Sequence, residues 1–159
     1  MMQCHVAVSQ HSNPQQAAQV VSRSVHDALG GLDCDFACVF FSPHFKEDVQ
    51  SVVEILRKNF SPKILIGCMG AGVIGGTQEI EEHPGLVLWG LSNPSMKITP
   101  FHLTPKKNGE KFSLEGWPDM LEEPAATRTF LFLAHLFSTP IDELFTLLEH
   151  HALGSSAIG

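Results

Sequence analysis

The run Phe36-Ala37-Cys38-Val39-Phe40-Phe41 is apolar without a break, too short for a helix and rich in strand formers, which suits a strand covered on both faces. After Ser42-Pro43, the residues Val49, Val52, Val53, Leu56 and Phe60 share one helical face at i, i+3, i+4, i+7 and i+11. Ser61-Pro62 stops that helix. A second strand begins over Lys63 to Ile66, and its apolar run Ile64-Leu65-Ile66 meets the glycine-dense stretch Gly67-Cys68-Met69-Gly70-Ala71-Gly72-Val73-Ile74-Gly75-Gly76. Strand, helix and strand in this order place the chain in the α/β class.

The flanking segments are read by the same rules. Val6-Ala7-Val8 is a short opening strand, and Ser12-Asn13-Pro14 joins a capping side chain to a proline suited to the first helical turn. Ala17, Val20, Val21, Ser24, Val25 and Ala28 recur at helical spacing up to Gly30-Gly31, which predicts a helix over 13–29. Leu86 to Leu91 and Met96 to Leu103 read as two strands around Asn93-Pro94, expected to be antiparallel neighbours. Thr104 to Pro124 reads as an irregular surface excursion. Thr129 to Ala134 is another buried-type strand, and Ile141, Leu144, Phe145 and Leu148 mark a last helical face. Strands 36–41, 63–67 and 129–134 are expected at the centre of the sheet, covered by helices.

The last stretch echoes an earlier one. Shifted by 92 positions, Cys38-Val39-Phe40-Phe41 falls on Phe130-Leu131-Phe132-Leu133, Val49, Val52, Val53 and Leu56 fall on Ile141, Leu144, Phe145 and Leu148, and Ile66-Gly67 falls on Ile158-Gly159. The expected fold is therefore α/β, a mixed sheet built from strand–helix–strand units with an antiparallel portion and the marks of an internal duplication. Residues 1–159 have the length of one domain, and the expectation is a single domain truncated at its C-terminus, because an apolar segment has only begun when Gly159 is reached.

Charge excludes some partners. Ten basic against 17 acidic residues give a net charge of −7, and no basic cluster exceeds Lys106-Lys107, so nucleic acid and anionic membranes are disfavoured. The N-terminus lacks the pattern of a signal peptide, no run has the length of a membrane span, and the four cysteines have no disulfide-framework spacing. These features lead to the expectation of a cytoplasmic protein with reduced thiols.

Five glycines in ten residues mean positive φ, or an approach closer than a Cβ allows. Gly70-Ala71-Gly72-Val73-Ile74-Gly75 satisfies the letter of the dinucleotide pattern G-x-G-x-x-G. That chemistry requires a helix N-terminus to hold the pyrophosphate, and only Thr77 to His83 separate the last glycine from Pro84. The strand is read as ending before Gly67, which also misplaces the motif. A phosphate loop begun at Gly67 and Gly72 continues with Val73-Ile74 where Lys and Ser/Thr are needed.

Other constellations are weaker. Cys68 has no nucleophile elbow and no base at fixed spacing, and His44, His83 and His135 reach it only through the fold. None of the nine histidines forms H-x-x-x-H, so no metal or other cofactor is expected. Glu79, Glu81 and Glu82 read first as a solvated acidic edge and second as a receiver for a ligand's amino group.

The chain resembles the N-terminal half of the FIST domain, a sensory module of bacterial signalling proteins. The resemblance rests on Ile66 to Gly76 followed by Glu79-Ile80, supported by Val39-Phe40-Phe41-Ser42-Pro43 and Ile98-Thr99-Pro100-Phe101-His102. It departs at His135-Leu136, where the family usually carries an Asp-Pro pair. What the resemblance implies is a non-enzymatic sensory domain in signal transduction that binds a small polar ligand such as an amino acid, with a signalling protein as partner. It names no catalytic residue. The candidate ligand-binding residues are Gly67, Cys68, Gly70, Gly72, Gly75, Gly76 and Glu79. Two alternatives stay open, a protein-interaction adaptor with an exposed apolar patch near Trp117 or Phe112, and a small-molecule enzyme using the Gly67–Gly76 loop.

Overall fold

Asn13 begins helix α1 (Pro14–Ala28): its Oδ1 accepts a hydrogen bond from the Gln16 amide at 2.8 Å, and Pro14 fills the first turn, where no amide partner is needed. Helix α2 (Val49–Phe60) ends at Ser61, which takes the left-handed conformation at φ 47° and donates its hydroxyl to the Arg57 carbonyl. These ends lie within a residue of those read from the sequence. The computed structural model describes residues 2–109, 111–118, 128–135, 137–152 and 154–159, which divide into two units, Met1–Ile98 and Thr99–Gly159.

In the first unit, strands β1 (Gln3–Ser9), β2 (Phe36–Phe41), β3 (Ile64–Met69) and β6 (Leu86–Ser92) form a mixed sheet in the order β1-β6-β2-β3. β2 and β3 are parallel, while β6 runs antiparallel to both β1 and β2. One face carries the main core: Ala17, Val21 and Val25 of α1 and Val52 and Leu56 of α2 pack with Ala37, Val39, Leu86 and Leu88. Gly90 sits on that face because a Cβ there would lie 2.6 Å from Val25 and 2.8 Å from Phe60. The other face is covered in part by a hairpin of β4 (Gly72–Gly75) and β5 (Gln78–Glu81), whose Val73 and Ile80 pack on Val87 with Val6, Val8 and Phe40 alongside.

The second unit holds an antiparallel hairpin of β7 (Thr104–Asn108) and β8 (Lys111–Glu115), and a parallel pair of β9 (Thr129–Leu131) and β10 (Ser156–Ile158). Helix α3 (Ile141–His151) lies between β9 and β10 in the chain. Its small core gathers Phe130 and Ala152 with Phe101, Trp117, Phe132 and Leu148, and the Phe101 and Trp117 rings stack at 6.0 Å.

Several readings need correction. No strand forms over 96–103, because both edges of β6 are already taken by β1 and β2 and no edge is left for a following strand. The stretch from Thr104 contains the β7–β8 hairpin instead of irregular chain, and residues 119–124 of it lie outside those described. β2 is central, but β3 is an edge strand, and β9 belongs to a separate sheet of three-residue strands. β3 also runs on through Gly67 and Cys68 to Met69, so the strand does not stop ahead of the glycines.

The 92-residue echo appears in the elements. α2 and α3 begin at Val49 and Ile141, β3 and β10 at Ile64 and Ser156, and each strand pair is parallel. A Cβ on Gly67 would run into the Val39 carbonyl, and one on Gly159 into the Phe132 carbonyl. The registers differ by one residue, since Cys38 faces Ile66 while Phe130 faces Ala157. The likeness therefore holds for topology and not for register.

Candidate functional site

The glycine segment divides into a strand end and a hairpin. Gly67 pairs with Val39, whose side chain belongs to the helix-covered core, so these two share the helix face. Cys68 pairs with Phe40 on the hairpin-covered face. Successive strand residues point oppositely, so Gly67 and Cys68 do not address a common space. The Gly70 amide donates to the Phe41 carbonyl at 3.1 Å, tying the turn back to the end of β2.

The hairpin uses its glycines for packing. Gly75 is buried, and a Cβ there would strike the side chains of Val8 and Val87. A Cβ on Gly72 would lie 3.1 Å from the Ile80 carbonyl, and one on Gly70 2.7 Å from the Gly72 carbonyl. Gly76 has φ +60° and is the first of two turn residues between β4 and β5, the position at which a tight hairpin turn takes positive φ. Glu79 is exposed opposite Ile74, which is itself 69% exposed, on the side of the hairpin turned away from Val73 and Ile80. The candidate residues thus spread over two sheet faces, a turn and a solvated edge.

Sequence reading passed over Ser42. It sits just past the C-terminal end of β2, the end at which open α/β sheets place ligands. Its hydroxyl accepts the Gly85 amide at 2.9 Å, its own amide donates to the Gly85 carbonyl, and its Oγ lies 3.2 Å from His44 Nδ1. With one oxygen lone pair taken by Gly85, the hydroxyl keeps a proton and a second lone pair for His44, and the tautomer of His44 sets which of the two donates. Ser42 is 1% exposed, so this arrangement clamps the end of β2 to the start of β6. The signal available was the triplet Ser42-Pro43-His44 directly after a strand. His44 is engaged with Ser42, and His135 with Ser138 at 2.9 Å.

At the opposite end of β2, Asp35 accepts Lys63 Nζ at 2.6 Å and the Asn93 amide at 2.7 Å. The Lys63 hydrogen bond holds the Asp35 carboxyl below its ordinary range against the opposing effect of burial, with Asn93 adding to it, and Asp35 raises Lys63 in return. Burial raises the thiol of Cys34 and pushes Cys38 up to about 11, with Cys68 adding a smaller effect, and partial desolvation against the sheet face raises Cys68 although its side chain reaches solvent. Cys34 and Cys38 are packed as the bland reading expects, whereas Cys4 and Cys68 are exposed.

Another open space in the first unit lies away from these residues. A groove of about 540 Å³ is lined by Gln19, Arg23, His26, Asp27 and Asn59, near the C-terminal ends of α1 and α2. There the helix dipoles are negative, and Arg57 and Lys58 in the last turn of α2 complement its dipole. Among the described residues no helix is long and apolar enough to cross a membrane.

Comparison with known proteins places this geometry in context. The FIST N domain family matches residues 35–159. An uncharacterized protein of Mycobacterium tuberculosis, found in strains H37Rv and CDC 1551, is 23% identical over 158 residues, covering 99% of this chain and 40% of the relative. An uncharacterized protein of Mycobacterium bovis is 26% identical over 88 residues, 55% of this chain and 23% of its own. The chain spans about 40% of the length of the first of these relatives. No solved structure matches.

Proposed function

The chain belongs to the FIST N domain family, and from that premise we propose that it is the sensory part of a signalling protein and binds a small polar metabolite, an amino acid being the leading class. Family membership is the observation that carries this reading. The residues still available to a ligand are those whose surroundings leave them open: Cys68, Gly76 and the Glu79 carboxylate, all exposed. Glu79 has the chemistry to receive an ammonium group, and the free amide of a turn glycine suits a carboxylate. Gly67, Gly70, Gly72 and Gly75 support that surface by allowing close backbone packing. Non-enzymatic action, a cytoplasmic location and a signalling protein as output partner belong to the same proposal.

A thermal-shift screen against amino acids and related small acids and amines tests it. A metabolite at a hundred times its Kd stabilises the folded state by about 2.7 kcal/mol, and Glu79→Gln is expected to weaken an amine-bearing hit without lowering the melting temperature of the free protein. If no metabolite stabilises the chain, the adaptor reading takes over. It has its own observation in the second unit, where Phe112 is 46% and Phe145 55% exposed. Trp117, by contrast, is packed with Phe101 and Phe130.

A further inference from the structure

We propose that the outer edge of β9 is a strand-acceptor site, which takes an extended apolar peptide segment in the antiparallel direction. The Phe132 amide donates to the Ile158 carbonyl and the Ser156 amide to the Arg128 carbonyl. In a parallel pair the bonding residues alternate, so residues 128, 130 and 132 serve β10, and Thr129, Leu131 and Leu133 direct their N–H and C=O groups to the other side. Among the described residues no strand pairs with that side. Thr129 is exposed, Leu131 is 39% and Leu133 37% exposed. Native edge strands are usually guarded by charge or proline, and Thr129-Phe130-Leu131-Phe132-Leu133-Ala134 has neither.

The first unit identifies the kind of occupant. There the matching element, β2, has β3 on one side in parallel and β6 on the other in antiparallel pairing. Parallel crossovers take the same right-handed course, so the open side of β9 corresponds to the side of β2 that β6 fills. β6 pairs with Phe36 to Phe41, and a shift of 92 places that frame on Arg128 to Leu133. The segment that fits is therefore one with the chemistry of Leu86-Val87-Leu88-Trp89-Gly90-Leu91-Ser92: extended, apolar and uncharged over its length. Main-chain bonds to an exposed edge supply affinity in this mode, and side chains on alternate positions supply selectivity.

A labelled peptide carrying the sequence of β6 between solubilising lysines tests the proposal against the 159-residue chain. Saturable binding in fluorescence anisotropy is expected, together with slowed hydrogen exchange at the Leu131 and Leu133 amides. Leu131→Pro removes one outward N–H without touching the β9–β10 ladder, and is expected to weaken binding about tenfold. Equal binding of a scrambled peptide, protection only outside residues 129–133, or no binding overturns the proposal. The exchange measurement uses the unaltered protein, so it decides the matter even if Leu131→Pro fails to fold.

Discussion

At the scale of single residues, the Asp35 carboxylate joins the ends of three strands through Lys63 and Asn93. Its folded pKa lies below the ordinary value of about 3.9. The stability it contributes is therefore present above about pH 4 and lost as pH falls through the folded pKa. Urea midpoints measured down that range are expected to fall for the natural chain, with a shallower acid limb for Asp35→Asn; parallel limbs would contradict the clamp. Thiols carry the opposite sign. Cys38 is held up to about 11, so from the ordinary thiol range to that pH the unfolded chain releases a proton that the folded one keeps, and stability falls as pH rises. In the folded protein at neutral pH, a thiol reagent is expected to label Cys4 and spare Cys34 and Cys38 until denaturant is added. Prompt labelling of Cys38 would refute its burial. Asp35 and Ser42 were invisible in the sequence as clamps because their partners, Lys63 with Asn93 and Gly85, are joined only by the pairing of strands.

At the scale of elements, α1, α2 and β2 were legible nearly to the residue. Each has its own local signals: a cap or a stop, and an apolar period matched to a face that is in fact buried. The glycine segment was legible only as an anomaly. A hairpin of two four-residue strands offers little periodicity, and the reason for Gly75 lies in Val8 and Val87, both distant in sequence. Segment 96–103 misled because its composition suits a strand while β6, the neighbour it was expected to pair with, has both edges taken by β1 and β2. Two glycines separate packing from turn geometry. Gly75→Ala is expected to cost about 1–3 kcal/mol by overpacking. Gly76→Ala faces open space and is expected to cost about 1 kcal/mol through its positive φ alone. Denaturant titration distinguishes them, and a Gly75→Ala variant as stable as the parent would remove the packing account of the segment.

At the scale of the whole molecule, the two units have different resources. Unit one has a four-stranded sheet with helices on one face and a hairpin on the other, while the described strands of unit two pair only in twos. A fragment of residues 1–98 is expected to melt cooperatively, and one of residues 1–84 is not, because it lacks β6. Circular dichroism on both fragments checks this; cooperative melting of the shorter one would show that the sheet does not depend on its last strand. The sequence could not reveal that dependence, since nothing in Leu86–Ser92 says that it lies between β1 and β2. The order β1-β6-β2-β3 also sets a schedule for biosynthesis. β1 is made first, yet it has no neighbour until the ribosome has delivered residue 92 and the chain beyond it has cleared the exit tunnel. Until then both edges of β1 and the far edge of β2 stand open, so closure of the sheet waits on its most distant contact in the chain.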